Sequence, residues 1–319
     1  MKKLTKLALA VSVAFSANAM AMQAMDDASL SATTGQDGLT IGIGISKIEI
    51  AKLYIHDNDG LSGTPADAGA IYIKGDGLAG SATKDHGVVI TANYGGVGGT
   101  EFLLDSRNLA DLVIDSDAGA GNPFINIAAK VSGLNINIGE IGVVASGAEP
   151  TATSASIRRG GTGKENAILT GLSVKTGPMA ANIQLGAAPQ GAMITLNATM
   201  KGGLTITDLG ILDNSTAVAG TREAGVIHLD KIQLADAGSR DLILNQDISV
   251  FGADGADKGY VKIVSTSGAH DNYIKGIHLG SKTAASIGDM EVQGLQTYYG
   301  SPYAGGAYTP GAIITIRGH

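Results

Sequence analysis

Cysteine and tryptophan are missing from all 319 residues, phenylalanine occurs only 4 times, and proline only 7 times. Without cysteine there can be no disulfide, no thiol nucleophile and no cysteine-ligated zinc. Stability has to come from burial and backbone pairing. Positive charge is also scarce: Lys and Arg number 22 against 29 Asp and Glu, for a net charge of −7. An acidic chain with no basic stripe is a poor match to nucleic acid or to an anionic membrane surface. Beyond Lys2-Lys3 its one adjacent cationic pair, Arg158-Arg159, reads as part of a solvated loop. Long apolar runs are missing too, none approaching the ~20 residues needed to cross a bilayer, so no helical membrane anchor is expected.

Glycine, by contrast, is abundant at 47 residues, and no collagen-like period accompanies it. Composition of this kind disfavours helices and suits many turns and closely approaching backbones. Apolar and small or polar residues alternate over short runs. Leu39, Ile41, Ile43 and Ile45 share one face, and shorter runs occur at 71–73, 88–90, 112–114, 134–138, 194–196, 242–244 and 261–263. Period-two runs bounded by Gly, Asp, Asn and Ser predict strands. Asp59-Gly60, Asp76-Gly77, Asn93-Tyr94-Gly95 and Asp254-Gly255 predict turns between them. The chain is expected to be all-β.

One longer string recurs: apolar-x-apolar-x-x-apolar-x-apolar. It fits IEIAKLYI from Ile48, INIGEIGV from Ile136, LTITDLGI from Leu204 and IHLDKIQL from Ile227; NYIKGIHL from Asn272 and MEVQGLQT from Met290 are looser copies. The two-residue gap moves the apolar side from even to odd positions. A flat strand would then expose half of them, so a corner or bulge at the gap is expected, keeping both halves on one interior. The starts lie 88, 68, 23 and 45 residues apart, which suggests a coil of 22 to 23 residues per turn. The expected architecture is an elongated β-solenoid-like or stacked β-sheet, with a β-sandwich or jelly-roll as the alternative. An outer-membrane β-barrel shares the alternation. It would need aromatic girdles and longer strands, whereas 4 of the 9 tyrosines here crowd into residues 298–308.

The first 21 residues have the layout of a secretory signal peptide: Lys2, Lys3 and Lys6, the apolar run LALAVSVAF, then the small-residue exit SANAMA. Cleavage is expected after Ala19 or Ala21. Residues 22–38 form an N-terminal motif, and residues 39–319 a glycine-rich β domain. The weakly patterned stretch from Ser146 to Gly163 is either a surface loop or a divide between two halves.

Signatures of catalysis fail on inspection. Gly160 to Lys164 resembles a phosphate loop but is followed by Glu165 where a hydroxyl is required, and GDGLAG at 75–80 lacks a following helix. Both read as turns, so no catalytic residue and no organic cofactor is expected. The six histidines are scattered, and His228 and His278, each flanked by apolar residues within a strand pattern, are expected to face outward. Asp57 and Asp59 in HDNDG resemble the opening of a Ca²⁺ loop, although the same residues are ordinary turn formers.

The stretch MDDASLSATTGQDGL at Met25 to Leu39 resembles the motif that follows the signal peptide in exported Gram-negative proteins described as pilus-system proteins, the FilA-like group. The matching positions are Asp26, Asp27, Leu30, Thr34, Gly35, Gln36, Asp37 and Gly38. The resemblance implies a cell-surface or filament-associated structural protein (pilus, fimbrium or adhesin-like). Physically, Asp26 suits an N-cap, Asp27 a first helical turn and Gly35 a C′ position, so a short capping helix is expected there. The resulting expectation is an exported, non-enzymatic structural component of a surface assembly, located in the periplasm, at the cell surface or in an extracellular filament. It would associate with itself or with other subunits. A carbohydrate-binding adhesive module and an outer-membrane barrel are the alternatives.

Overall fold

The computed structural model describes residues 38–255, 258–300 and 306–318. Apart from Gly38 and Leu39, they belong to one compact unit, Thr40–His319. The expected signal peptide and capping helix, with Asp26, Asp27, Leu30, Thr34, Gly35, Gln36 and Asp37, lie outside the described residues.

The described residues form strands: β1 (Leu39–Ile43), β2 (Lys47–Ile50), β3 (Lys52–His56), β4 (Gly69–Lys74), β5 (Val88–Ala92), β6 (Ala110–Asp117), β7 (Phe124–Val131) and β8 (Leu134–Ile138). Then come β9 (Glu140–Ser146), β10 (Gly161–Leu169), β11 (Leu172–Lys175), β12 (Met179–Gly186), β13 (Ile194–Met200), β14 (Leu204–Asp213) and β15 (Gly225–Asp236). The last are β16 (Leu242–Phe251), β17 (Tyr260–Ser265), β18 (His270–Leu279), β19 (Met290–Leu295), β20 (Tyr298–Tyr299), β21 (Thr309–Pro310) and β22 (Ala312–Ile316). The protein is all-β, as the composition predicts. Helical geometry among these residues is limited to four three-residue 3-10 turns.

Two large antiparallel sheets hold almost all of the strands. The first runs β1-β6-β7-β12-β13-β16-β17-β22. The second runs β2-β5-β8-β11-β14-β10-β9-β4-β3, with β15, β18 and β19 added beyond β14. Among the described residues neither sheet closes on itself. In chain order the strands visit the first sheet, then one half of the second, then its other half, and return by the same route. β1, β2 and β3 make one crossing; β4, β5 and β6 come back.

This back-and-forth path explains the recurrent string. Its copies at Ile136, Leu204 and Asn272 lie 68 residues apart because each begins a crossing in the same direction, on β8, β14 and β18. The copy at Ile227 lies on a returning crossing, β15. A coil of 22 to 23 residues is therefore not what spaces them.

The gap in the string is a line of one-residue kinks running across the second sheet. Ala51 separates β2 from β3, and Gly139 separates β8 from β9. Gly87 N–H donates to Ala51 O, and Gly139 N–H to Gly87 O, so the kinks are stitched to one another. At Gly139 a Cβ would stand 2.2 Å from the Lys74 carbonyl oxygen, which explains the need for glycine. The line continues through Asp208, held at φ 60, and Gly276, at φ 64.

On each side of the kinks the apolar residues fall into register. Before the kink one row reads Ile48, Ile90, Ile136, Val174, Ile206, Ile232, Ile274 and Met290. The first sheet carries Ile114, Ile127, Ile183, Ile194, Ile248, Ile263 and Ile314 in one row. Aliphatic cross-strand pairs of this kind stabilise by roughly 0.2–1 kcal/mol each.

Beyond the kink the burial differs from expectation. Ile55, Ile71, Ile211 and Ile227 are exposed, while Tyr72 and His228 on the other face are 1% exposed. Tyr72 pairs with Gly142, where a Cβ would stand 2.4 Å from the Tyr72 hydroxyl oxygen, so the ring occupies that site. His228 pairs with Gly210, whose own site is filled by Thr170.

The stretch after Ser146 is the loop of a hairpin: Gly161 pairs with Ser146, joining β9 to β10. Arg159 is not simply solvated there, because Nε donates to Gly147 O at 2.6 Å and Nη1 to Asn58 Oδ1 at 2.7 Å.

Candidate functional site

The kink line brings four titratable side chains together on β14, β15 and β18. Asp208 and Asp230 occupy kink positions on neighbouring strands. His228 pairs directly across from His278, with ring centroids 5.8 Å apart. Asp230 Oδ1 lies 3.4 Å from His228 Nε2 and 3.3 Å from His278 Nε2. Asp208 Oδ1 is 3.8 Å from His228 Nε2 and accepts a hydrogen bond from Lys282 Nζ at 2.7 Å. Glycine at 276 is needed for this arrangement, because a Cβ there would stand 2.0 Å from Asp230 Oδ2.

The two imidazoles differ sharply. His278 Nδ1–H donates to Ala284 O at 2.6 Å, and that bond together with Asp230 raises its pKa. Burial, reinforced by the Lys282 charge, pushes His228 the other way and favours its neutral form. Neither ring nitrogen of His228 has a hydrogen-bond partner, which is costly for a group this enclosed. The outward-facing expectation fails here, since His228 is buried.

A cavity of about 1050 Å³ adjoins the cluster. Its walls set Asp76, Asp208, Arg222, His228 and Lys282 among apolar residues such as Ile138 and Leu172, so charges of both signs sit in a largely apolar lining. Asp76 organises one wall by accepting from Leu78 N–H, Ser81 Oγ–H and Thr83 Oγ1–H. GDGLAG is thus a turn, as the sequence suggests.

The Ca²⁺ candidates lie elsewhere. Asp57 Oδ1 accepts the Asp59 amide at 3.4 Å, and that contact heads the causes lowering the Asp57 pKa. Among the described residues no group of three or more His, Asp or Glu side chains is placed to hold a metal ion. Gly38, the one described residue of the N-terminal motif, takes φ 104 just before β1.

The His–Asp cluster went unrecognised in the sequence because its members lie far apart along the chain. A signal was present in the recurrent string. Antiparallel pairing of IHLDKIQL with NYIKGIHL places the second residue of one opposite the seventh of the other, and both are histidine.

A family of unknown function (DUF6160) matches the chain over residues 1–98, a span that ends shortly after β5. No curated protein and no solved structure matches it.

Proposed function

We propose that this protein is an exported, non-enzymatic structural component of a pilus-like or other cell-surface assembly. The observation that carries the reading is the pair of sheets, open among the described residues, whose apolar rows reach β2 and β19 at the ends of the second and β22 at the end of the first. Open edges of this kind are templates for further strand pairing. The chain adds each crossing beside the previous one, which supports an elongated stack over a sandwich. The leader-like first 21 residues support export, and the motif from Met25 to Leu39 supports a surface address. Labelling of intact cells, followed by electron microscopy, tests the reading. Labelled fibres or surface arrays are expected; a protein confined to the cell interior, or monomeric at every concentration, would overturn it.

The cavity beside His228, with charged groups of both signs set in a largely apolar lining, favours a second reading, an adhesive module that binds a ligand such as a glycan. Retention of glycans by the purified protein, lost in Arg222→Ala, would support it.

A further inference from the structure

The two ends of the second sheet match each other. Its apolar row starts at Ile48 on β2 and finishes on β19 at Met290, a residue 45% exposed. The neighbouring row, one residue along, starts at Lys47 and passes through Thr91, Asn135, Lys175, Thr205, Gln233 and Tyr273 to Glu291. One end therefore carries a cation and the other an anion at the same height. Lys47 is half exposed and meets Glu49 on its own strand.

Strand direction matches as well. From β2 to β19 the order is β2-β5-β8-β11-β14-β15-β18-β19, every neighbour antiparallel. An even number of alternating strands leaves β19 running opposite to β2. A translated second copy would thus set its β2 antiparallel to the first copy's β19 and continue the ladder. It would place Ile48 beside Met290 and Lys47 beside Glu291. The other sheet has the same even parity, from β1 to β22, and Ile314 at its end is 53% exposed. A contact between unlike ends joined by translation does not close into a ring and extends indefinitely.

We infer that copies of this chain join end to end by pairing β19 of one copy with β2 of the next, with Glu291 facing Lys47. This inference rests on the structural-assembly reading and names its partner, a second copy of the chain.

The absence of cysteine supplies the test, because introduced thiols are the only ones present. Within one copy, positions 47 and 291 are seven strand spacings apart, roughly 33 Å, which no disulfide spans. Lys47→Cys and Glu291→Cys, mixed under mild oxidation, should give a disulfide-linked dimer that neither gives alone. The doubly substituted chain should give a ladder of multimers on a non-reducing gel. Charge reversal adds a second arm. Lys47→Glu and Glu291→Lys should each lower the assembled fraction in sedimentation at least tenfold, and the Lys47→Glu/Glu291→Lys chain should recover it. Both positions are at edges, and circular dichroism matching the parent verifies the fold. If the parent assembles but the mixed thiols link no better than either alone, this end-to-end pairing is overturned while the assembly reading stands. If the parent never assembles, both fall.

Discussion

Two rings in the same half of the second sheet are set in the same way and treated oppositely. Tyr72 and His228 are each 1% exposed, and each faces a glycine of the adjoining strand, Gly142 or Gly210. Tyr72 O–H donates to Glu140 Oε1 at 2.8 Å, and Lys74 Nζ bridges Glu140 and Glu165. Its phenol is raised in pKa, by burial first and by the Glu140 bond next. Every polar group of that cluster is answered. His228 has two carboxylates within 4 Å yet no hydrogen bond at either nitrogen. One sheet thus holds a polar cluster that consolidates it and another whose central group is left unmet. Burial alone does not distinguish them; hydrogen-bond completion does.

That contrast can be tested, beginning with the largest effect. Tyr72→Ala removes the ring that packs with Ala70, Val144 and Tyr54, and should cost about 3–5 kcal/mol in urea unfolding. Gly276→Ala forces a β-carbon into the left-handed region and against Asp230, for a loss of roughly 2 kcal/mol by thermal melting. Gly220→Ala, also at positive φ but with nothing within 4 Å, should cost about half as much.

The next pair should differ in sign. Tyr72→Phe keeps the ring but deletes the donor to Glu140, costing about 1 kcal/mol, whereas His228→Leu removes unmet nitrogens and should leave stability unchanged or up to about 1 kcal/mol higher. Equal losses in the two variants would break the comparison.

The smallest effect is on pH dependence. His228 is depressed by burial, so its unfavourable contribution appears as pH falls through the ordinary histidine value of 6.5, where the unfolded chain takes up a proton that the folded one resists. His278 is raised, so its contribution is full below that value and fades as pH rises through its higher folded pKa. Asp208, Asp230 and Lys282 surround the pair and are common to both. Urea midpoints measured from pH 8 down to pH 5 should fall less for His228→Leu than for the parent, and more for His278→Leu.

Strand positions were largely readable from alternation. The runs at 71–73, 88–90, 112–114, 134–138, 194–196, 242–244 and 261–263 all lie inside strands. Strands with weaker alternation were not, such as β10, where Gly161 to Asn166 offer no apolar rhythm. Asp208 and Asp230 lay in plain view within the recurrent string but carried no sign that they would become neighbours. Turn readings at Asp57 to Gly60 and Asp76 to Gly80 rested on local side-chain-to-backbone bonding, which is why they could be made without a fold.

By itself the sequence determined that this chain is built of strands, where many of them lie, and that several of its crossings carry a kink. Those properties depend on residues a few positions apart, and a period of two with a one-step shift records them directly. The tertiary structure decided that the crossings run back and forth, that Gly142 leaves room for the Tyr72 ring, and that His228 meets Asp230 and His278. Side-chain alternation is the same in parallel and antiparallel strands, so it cannot specify which strand lies alongside, or in which direction. That choice sets the register, and the register sets both the buried cluster and the charge at each end of the sheet.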